Sequence, residues 1–193
     1  MAHRRRSSLP PWRTLEEHEV FHTRIFDLDA ARRREDETGN EGEFYILRSP
    51  NWINVVAITT AGMLVLVDQF RHGTEHFELE IVGGIVNPDE SSIDAALREL
   101  REETGYVVTA ESHIECIGSV LPNPAFLDNR CDTILVTQVE RRADVEFDEH
   151  ENIAVVLEPI TRMHELVRSG EITHSLVINA FYWYDLWRKN NKG

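Results

Sequence analysis

Apolar positions along the chain change period several times, and each change marks an element. Ile53 to Thr59 and Met63 to Phe70 are rich in β-branched and aliphatic residues and are split by Ala61-Gly62, which predicts two strands joined as a hairpin. Glu78 to Val82 is a further extended run that leads into Gly83-Gly84, and Glu115–Val120, Thr133–Val139 and Ile153–Pro159 are also strand-like. Nearer the start, residues 18–31 and 43–48 read as two strands around the polar turn Glu37 to Gly42, although Val20, Ile25, Phe26 and Leu28 alternate imperfectly. The period then shifts to that of a helix three times. Ile93, Ala96, Leu97, Leu100 and Thr104 form one apolar stripe, and a second helix is expected from Thr161 to Ser169 with Gly170 as its stop. A third, from Thr173 to Lys189, carries Leu176, Ala180, Trp183, Leu186 and Trp187 on one side. Strands covered by helices predict an α/β fold, a mixed sheet inside an α/β/α sandwich over residues 51–193, with residues 1–50 as a small N-terminal antiparallel β-sheet.

The helix beginning near Ser91 is chemically unusual. Ser91 or Ser92 is a good N-cap, Asp94 completes an acidic capping box on Ser91, and Gly105 stands where a C-cap glycine belongs. Glu99, Glu102 and Glu103 lie at i, i+3 and i+4, so three carboxylates share a face distinct from the apolar stripe. Like charges this close repel, each acidic i,i+4 pair costing roughly a few tenths of a kcal/mol. A divalent cation reverses that sign, because hard cations prefer carboxylate oxygens and commonly bridge them to substrate phosphates. Arg98 can pair with Glu90 or Glu102 and steer the acids, while Gly83 and Gly84 let backbone approach a ligand closely. A dense acidic face is a poor helix surface and a good metal platform.

Composition narrows the partners. The formal charge of −14 lacks the basic patch of a nucleic-acid polymer binder, and becomes compatible with a diphosphate substrate once site metals are counted. No apolar run approaches the roughly 18 residues of a membrane span, and the basic start MAHRRRSSLPPW lacks the apolar core of a secretory signal. The cytoplasm is the expected location, with Cys116 and Cys131 as unpaired thiols, Arg4 to Arg6 as a disordered end, and neither membrane nor nucleic acid as partner.

The stretch Gly84–Tyr106, GIVNPDESSIDAALRELREETGY, resembles the Nudix box G-x5-E-x7-R-E-U-x-E-E-x-G-U, with Gly84, Glu90, Arg98, Glu99, Leu100, Glu102, Glu103, Gly105 and Tyr106 on its specified positions. The chain therefore resembles the Nudix hydrolases, which cleave nucleoside diphosphates linked to a further group. Asp68-Gln69-Phe70-Arg71, Leu79 to Gly84, Pro122 and the acidic loop Glu149-His150-Glu151-Asn152-Ile153 are similar to features of the ADP-ribose and nucleoside-diphosphate-sugar pyrophosphatase branch. Two departures stand out. Val82 occupies a position where that branch usually has proline, and Leu121 to Arg130 replaces the loop of the strict ADP-ribose hydrolases.

That resemblance implies roles. Glu99, Glu103 and the Gly83 carbonyl would hold Mg²⁺ or Mn²⁺, with Glu151 as a further ligand. Glu149 would act as base, and Glu102 and Arg98 complete the catalytic group. Arg71 would contact a phosphate, Glu80 would receive substrate hydroxyls or orient Arg71, and Asn123, Asn129 and Arg130 would touch sugar or phosphate. The expected reaction is in-line attack of water on one phosphorus, giving a nucleoside monophosphate and a sugar phosphate. The resemblance also implies a homodimer with exchanged N-terminal sheets, in which Trp12, Phe26 or Trp52 stacks on a base. Alternatives are hydrolysis of dinucleoside polyphosphates or other nucleotides, a non-catalytic nucleotide sensor, and a histidine metal site at His72 to His76, which lacks the H-E-x-x-H pattern.

Overall fold

The computed structural model describes residues 9–146 and 152–191. It divides into two compact units: the described residues up to Pro50 with Asn123–Asn129, and Asn51–Pro122 with the described residues from Arg130 onward.

The first unit is a three-stranded antiparallel sheet of β1 (Trp12–His22), β2 (Asp27–Glu35) and β3 (Glu41–Arg48), with β2 central. A single strand over 18–31 was the expectation; the chain instead turns at Thr23. Its hydroxyl donates to the Phe26 carbonyl at 2.6 Å and accepts the N–H groups of Ile25 and Phe26 at 3.2 and 2.9 Å. Side-chain capping of this kind competes with the strand ladder, which a hydrophobicity pattern cannot register. Every residue of β1 is exposed, so it has no alternation to read.

In the second unit, the described strands are β4 (Trp52–Thr59), β5 (Met63–Arg71), β6 (His76–Ile85), β7 (Tyr106–Val107), β8 (Ile114–Val120), β9 (Cys131–Arg141) and β10 (Ile153–Pro159). They form a mixed sheet in the order β10-β5-β6-β4-β9-β7, with β8 also on β9 and the β4–β9 pair parallel. The hairpin at Ala61-Gly62 forms, with Gly62 at φ 75°, but β4 and β5 share only the Ile58–Leu64 pair. Beyond it β6 runs between them, pairing with β5 from Leu66 to Arg71 and with β4 from Trp52 to Val55.

Both faces of this sheet are covered. Helix α1 (Ser92–Thr104) packs Ala95, Ala96 and Leu100 on Val55, Ala57, Val65, Val67, Ile134 and Val136. Helices α2 (Met163–Ser169) and α3 (Ser175–Asn190) cover the opposite face, where Val56, Leu64, Leu66 and Leu135 meet Leu166, Val177, Ala180 and Phe181. Neighbouring residues of one strand thus enter different cores, and that two-sided burial is why the central strands read as continuous apolar runs. The α/β/α sandwich is present.

Helix registers differ in detail from the stripes expected. In α1, Ile93 is 37% exposed and Ala95 takes its place in the core, which brings Glu103 to the edge of the packed face. In α3 the buried positions are Leu176, Val177, Ala180, Phe181 and Tyr184. Trp187 instead stacks on Tyr184 and donates to Glu115 at 2.7 Å, while Trp183 covers Gly118. Several registers of an aromatic-rich helix satisfy the same 3.6-residue period, and only the opposing sheet selects one. The segment Thr161–Ser169 opens as a 3-10 turn, Ile160–Arg162, before α2, and Gly170 closes it at φ 79° as expected. No helix among the described residues is long and apolar enough to cross a membrane.

A Cβ on Gly118 would lie 2.1 Å from the Trp183 ring. Gly118→Ala therefore displaces that ring and destabilises the fold by about 1–3 kcal/mol, read from the urea midpoint.

Candidate active site

The turn from β6 into α1 builds the site. Ser91 caps α1, accepting the Asp94 N–H at 3.1 Å, and Gly105 ends it in the left-handed region at φ 71° with its N–H on the Arg101 carbonyl. A Cβ on Gly105 would sit 2.3 Å from the Ala143 carbonyl, so glycine is required there twice over. Fixed at both ends, α1 presents its acids to the end of β6. A Cβ on Gly84 would lie 2.3 Å from the Glu99 carboxyl group; the missing side chain is the space the carboxylate fills.

Arg98 organises the acids with five hydrogen bonds. Two go to Glu90 at 2.9 and 3.0 Å, one to Glu99 at 2.7 Å, one to Glu102 at 3.2 Å, and one to the Ile85 carbonyl at 3.0 Å. Its five N–H groups are thereby matched, so Arg98 positions side chains and has none left for substrate. Hydrogen bonding from Arg98 also holds the Glu90 carboxyl below the usual carboxylate range. Glu103, 5% exposed, stands deeper than its two neighbours. These acids border a cavity of about 610 Å³ lined also by Gln69, Arg71, Gly83, Gly84, Ile85, Asn87 and Glu146.

A second cavity, about 390 Å³, adjoins it through Arg71, Gly83, Gly84 and Ile85 and adds Trp52, Ile53, Asn54, Glu80, His174 and Leu176. On its wall a buried carboxylate holds two cationic or polar partners. Glu80, 3% exposed, accepts from Arg71 Nε at 2.7 Å and Nη2 at 3.0 Å, and contacts His174 Nδ1 at 2.6 Å. Burial pushes the Glu80 carboxyl up, but the hydrogen bonds from His174 and Arg71 outweigh it and leave the group lowered to about 2. The same pairing raises Arg71. Arg71 is thus a fixed cation at the junction of both cavities.

The chain matches the NUDIX domain over residues 50–174. The chain belongs to the NUDIX family. With that membership comes the reaction class, hydrolysis of a phosphoric anhydride. The ADP-ribose pyrophosphatase of Bacillus subtilis is 29% identical over 178 residues, which cover 90% of this chain and 92% of that protein. The ADP compounds hydrolase NudE of Escherichia coli is 27% identical over 126 residues, 65% of this chain and 66% of its own. A crystal structure of an ADP compounds hydrolase superposes with a TM-score of 0.84 at 22% identity, covering 97% of this chain and 99% of that one, and establishes the fold.

The NUDIX site gathers some of the expected residues and leaves others elsewhere. Glu99, Glu102, Glu103, Gly83, Arg98 and Arg71 line the 610 Å³ cavity together. Glu80 lies on the adjoining wall with its oxygens already engaged, which fits orienting Arg71 better than receiving hydroxyls. Asn123 and Asn129 belong to the other unit and serve local structure there. Asn123 Oδ1 accepts the Ala125 N–H at 3.3 Å, and Asn129, 2% exposed, donates to the Pro50 carbonyl at 3.0 Å. Arg130 is tied to Ser119 Oγ at 3.0 and 3.2 Å and lines neither cavity. Glu149 and Glu151 fall outside the described residues. His174 and Asn54 escaped the sequence reading; each is a single polar residue with no motif around it, and only the ladder and α3 bring them to the cavity.

The donor set suits a hard divalent cation: carboxylates from one helix, one of them buried, beside a glycine whose missing side chain admits a carboxylate. Arg98 Nη1 bridges two of them, Glu99 and Glu102. Among the described residues, the one group of three ligating side chains with all donor atoms within 4.8 Å is Glu19, His22 and Asp27 on the N-terminal sheet.

The lowered Glu80 carboxyl contributes stability that is complete above its unfolded value near 4.5 and is lost as pH falls towards about 2. Urea midpoints of the wild type should therefore fall more steeply across that window than those of Glu80→Gln, and parallel profiles would remove the argument.

Proposed function

We propose that this NUDIX enzyme hydrolyses the diphosphate of ADP-ribose and related nucleoside diphosphate sugars with Mg²⁺ or Mn²⁺, giving a nucleoside monophosphate and a sugar phosphate. One observation carries the reading: a carboxylate-lined cavity and an apolar-walled cavity meet at Arg71, whose guanidinium is anchored by Glu80. Such a junction suits a diphosphate between two organic groups. The B. subtilis and E. coli relatives, with ADP-ribose and ADP compounds in their names, support the same substrate class.

Glu99, Glu103 and the Gly83 carbonyl would hold the metal, with Glu102 beside them and Glu151 as a further ligand. The bound metal would neutralise diphosphate charge and make a water more acidic. The rest falls to the chain. Arg71, held by two bonds to Glu80, directs its remaining N–H groups at a phosphate. Arg98 orients Glu99 and Glu102, and Glu149 accepts the proton of the attacking water. Trp52 stacks on the base or covers the sugar in the 390 Å³ cavity.

Phosphomonoester release should appear with ADP-ribose and several nucleotide sugars in Mg²⁺ or Mn²⁺. It should be lost in Glu103→Gln and reduced about 10–100-fold in Gly84→Ala, where Glu99 must move. Tight nucleotide binding without release would make the protein a sensor. Release confined to dinucleoside polyphosphates would favour that alternative.

The homodimer with exchanged N-terminal sheets rests on a separate observation. The three-stranded sheet leaves Trp12, Leu15, Val20, Phe21 and Tyr45 exposed and buries little of its own beyond Ala30, Ala31 and Ile46, and a small sheet of that kind gains stability by packing. Sedimentation of the full chain should give a dimer that Phe21→Asp with Leu15→Asp shifts towards monomer; an unchanged dimer would refute the exchange. We place the enzyme in the cytoplasm, where Cys116 and Cys131 remain free.

A further inference from the structure

The geometry points to His174 as a specificity-determining residue that binds a hydroxyl of a substrate sugar through Nε2 while Nδ1 holds Glu80. This deepens the nucleoside diphosphate sugar reading above and rests on it.

His174 occupies the N-cap position of α3, on the opposite face of the sheet from α1, without a capping side-chain hydrogen bond, and its half-exposed ring borders the cavity shared with Trp52, Asn54 and Arg71. Its Nδ1 lies 2.6 Å from Glu80 Oε2, which also accepts from Arg71 Nη2 at 3.0 Å. An ionised carboxylate can only accept, so Nδ1 carries the proton. The tautomer follows from that partner. Among the described residues no hydrogen bond of Nε2 is seen, and the ring borders two cavities, of about 390 and 350 Å³. Nε2 is therefore the free end of a ring whose other end is fixed.

What Nε2 can bind follows from its two states. The neutral ring accepts there and the charged ring donates. A sugar hydroxyl both donates and accepts, so it matches either state, whereas a phosphate oxygen matches only the charged one. Phosphate already has a permanent donor at the same junction in Arg71. The two residues divide the substrate between them: Arg71 takes the anion and His174 the neighbouring hydroxyl, with Glu80 fixing their separation.

Asparagine separates the two ends of the ring, because its side-chain amide can replace Nδ1–H but has nothing in the place of Nε2. His174→Asn should keep the wild-type melting temperature, raise KM for ADP-ribose about tenfold, the loss of one hydrogen bond, and change kcat by less than about twofold. His174→Ala should show the same KM rise with a lower melting temperature, since Glu80 then loses a partner. Calorimetric titration with AMP and with ribose 5-phosphate should show one of the two weakened in His174→Asn. An unchanged KM with both titrations unchanged, or a fall in kcat alone, overturns the assignment. If the wild type releases nothing from any nucleotide sugar, the functional reading fails instead, and the titrations still decide for or against His174.

Discussion

The arrangement of the site depends on the fit between one side chain and one absent side chain. Glu99 reaches into the space that a Cβ on Gly84 would fill, and Arg98 holds it there while binding Glu90, Glu102 and the Ile85 carbonyl. Strand β6 and helix α1 are joined by this contact as much as by the loop between them. Mutually repelling acids become tolerable because one guanidinium shares its donors among three of them. The electrostatic strain that remains is of the sign a divalent cation relieves.

A second cluster complements the first. Glu80 is a buried anion stabilised by Arg71 and His174, which come from β5 and from the start of α3. Leaving that carboxylate without partners at 3% exposure would be costly. The charge of Glu80 therefore fixes Arg71 at the boundary between the acidic cavity and the apolar one. In this way the two cores of the sandwich, packed on opposite faces of one sheet, deliver groups to two adjoining cavities: α1 brings carboxylates to one and His174, at the start of α3, borders the other.

What was legible in the sequence was what spacing encodes. The capped helix, its glycine stop and the acids at i, i+3 and i+4 are local, so Glu99, Glu102 and Glu103 followed from the 3.6-residue period and Gly105 from its residue type, while the N-cap stayed open between Ser91 and Ser92. Central strands were legible because two-sided burial leaves unbroken apolar runs. The Thr23 turn was not, since a hydroxyl capping its own backbone leaves no hydrophobic trace. The buried face of α3 was legible only at Leu176 and Ala180, because its aromatic residues fit several registers.

The sequence by itself determined the family, the fold class and the acidic helix, because these follow from the hydrophobic period within each segment and from a motif of fixed length. Tertiary structure alone decided that His174 joins the Arg71–Glu80 pair, which the sequence had already offered as a possibility. Arg71 and Glu80 lie 9 positions apart in segments that the family resemblance marks, whereas His174, 94 positions beyond Glu80, stands in no motif. The β5–β6 ladder and the docking of α3 put them in contact, and burial, which no single segment encodes, makes that contact obligatory.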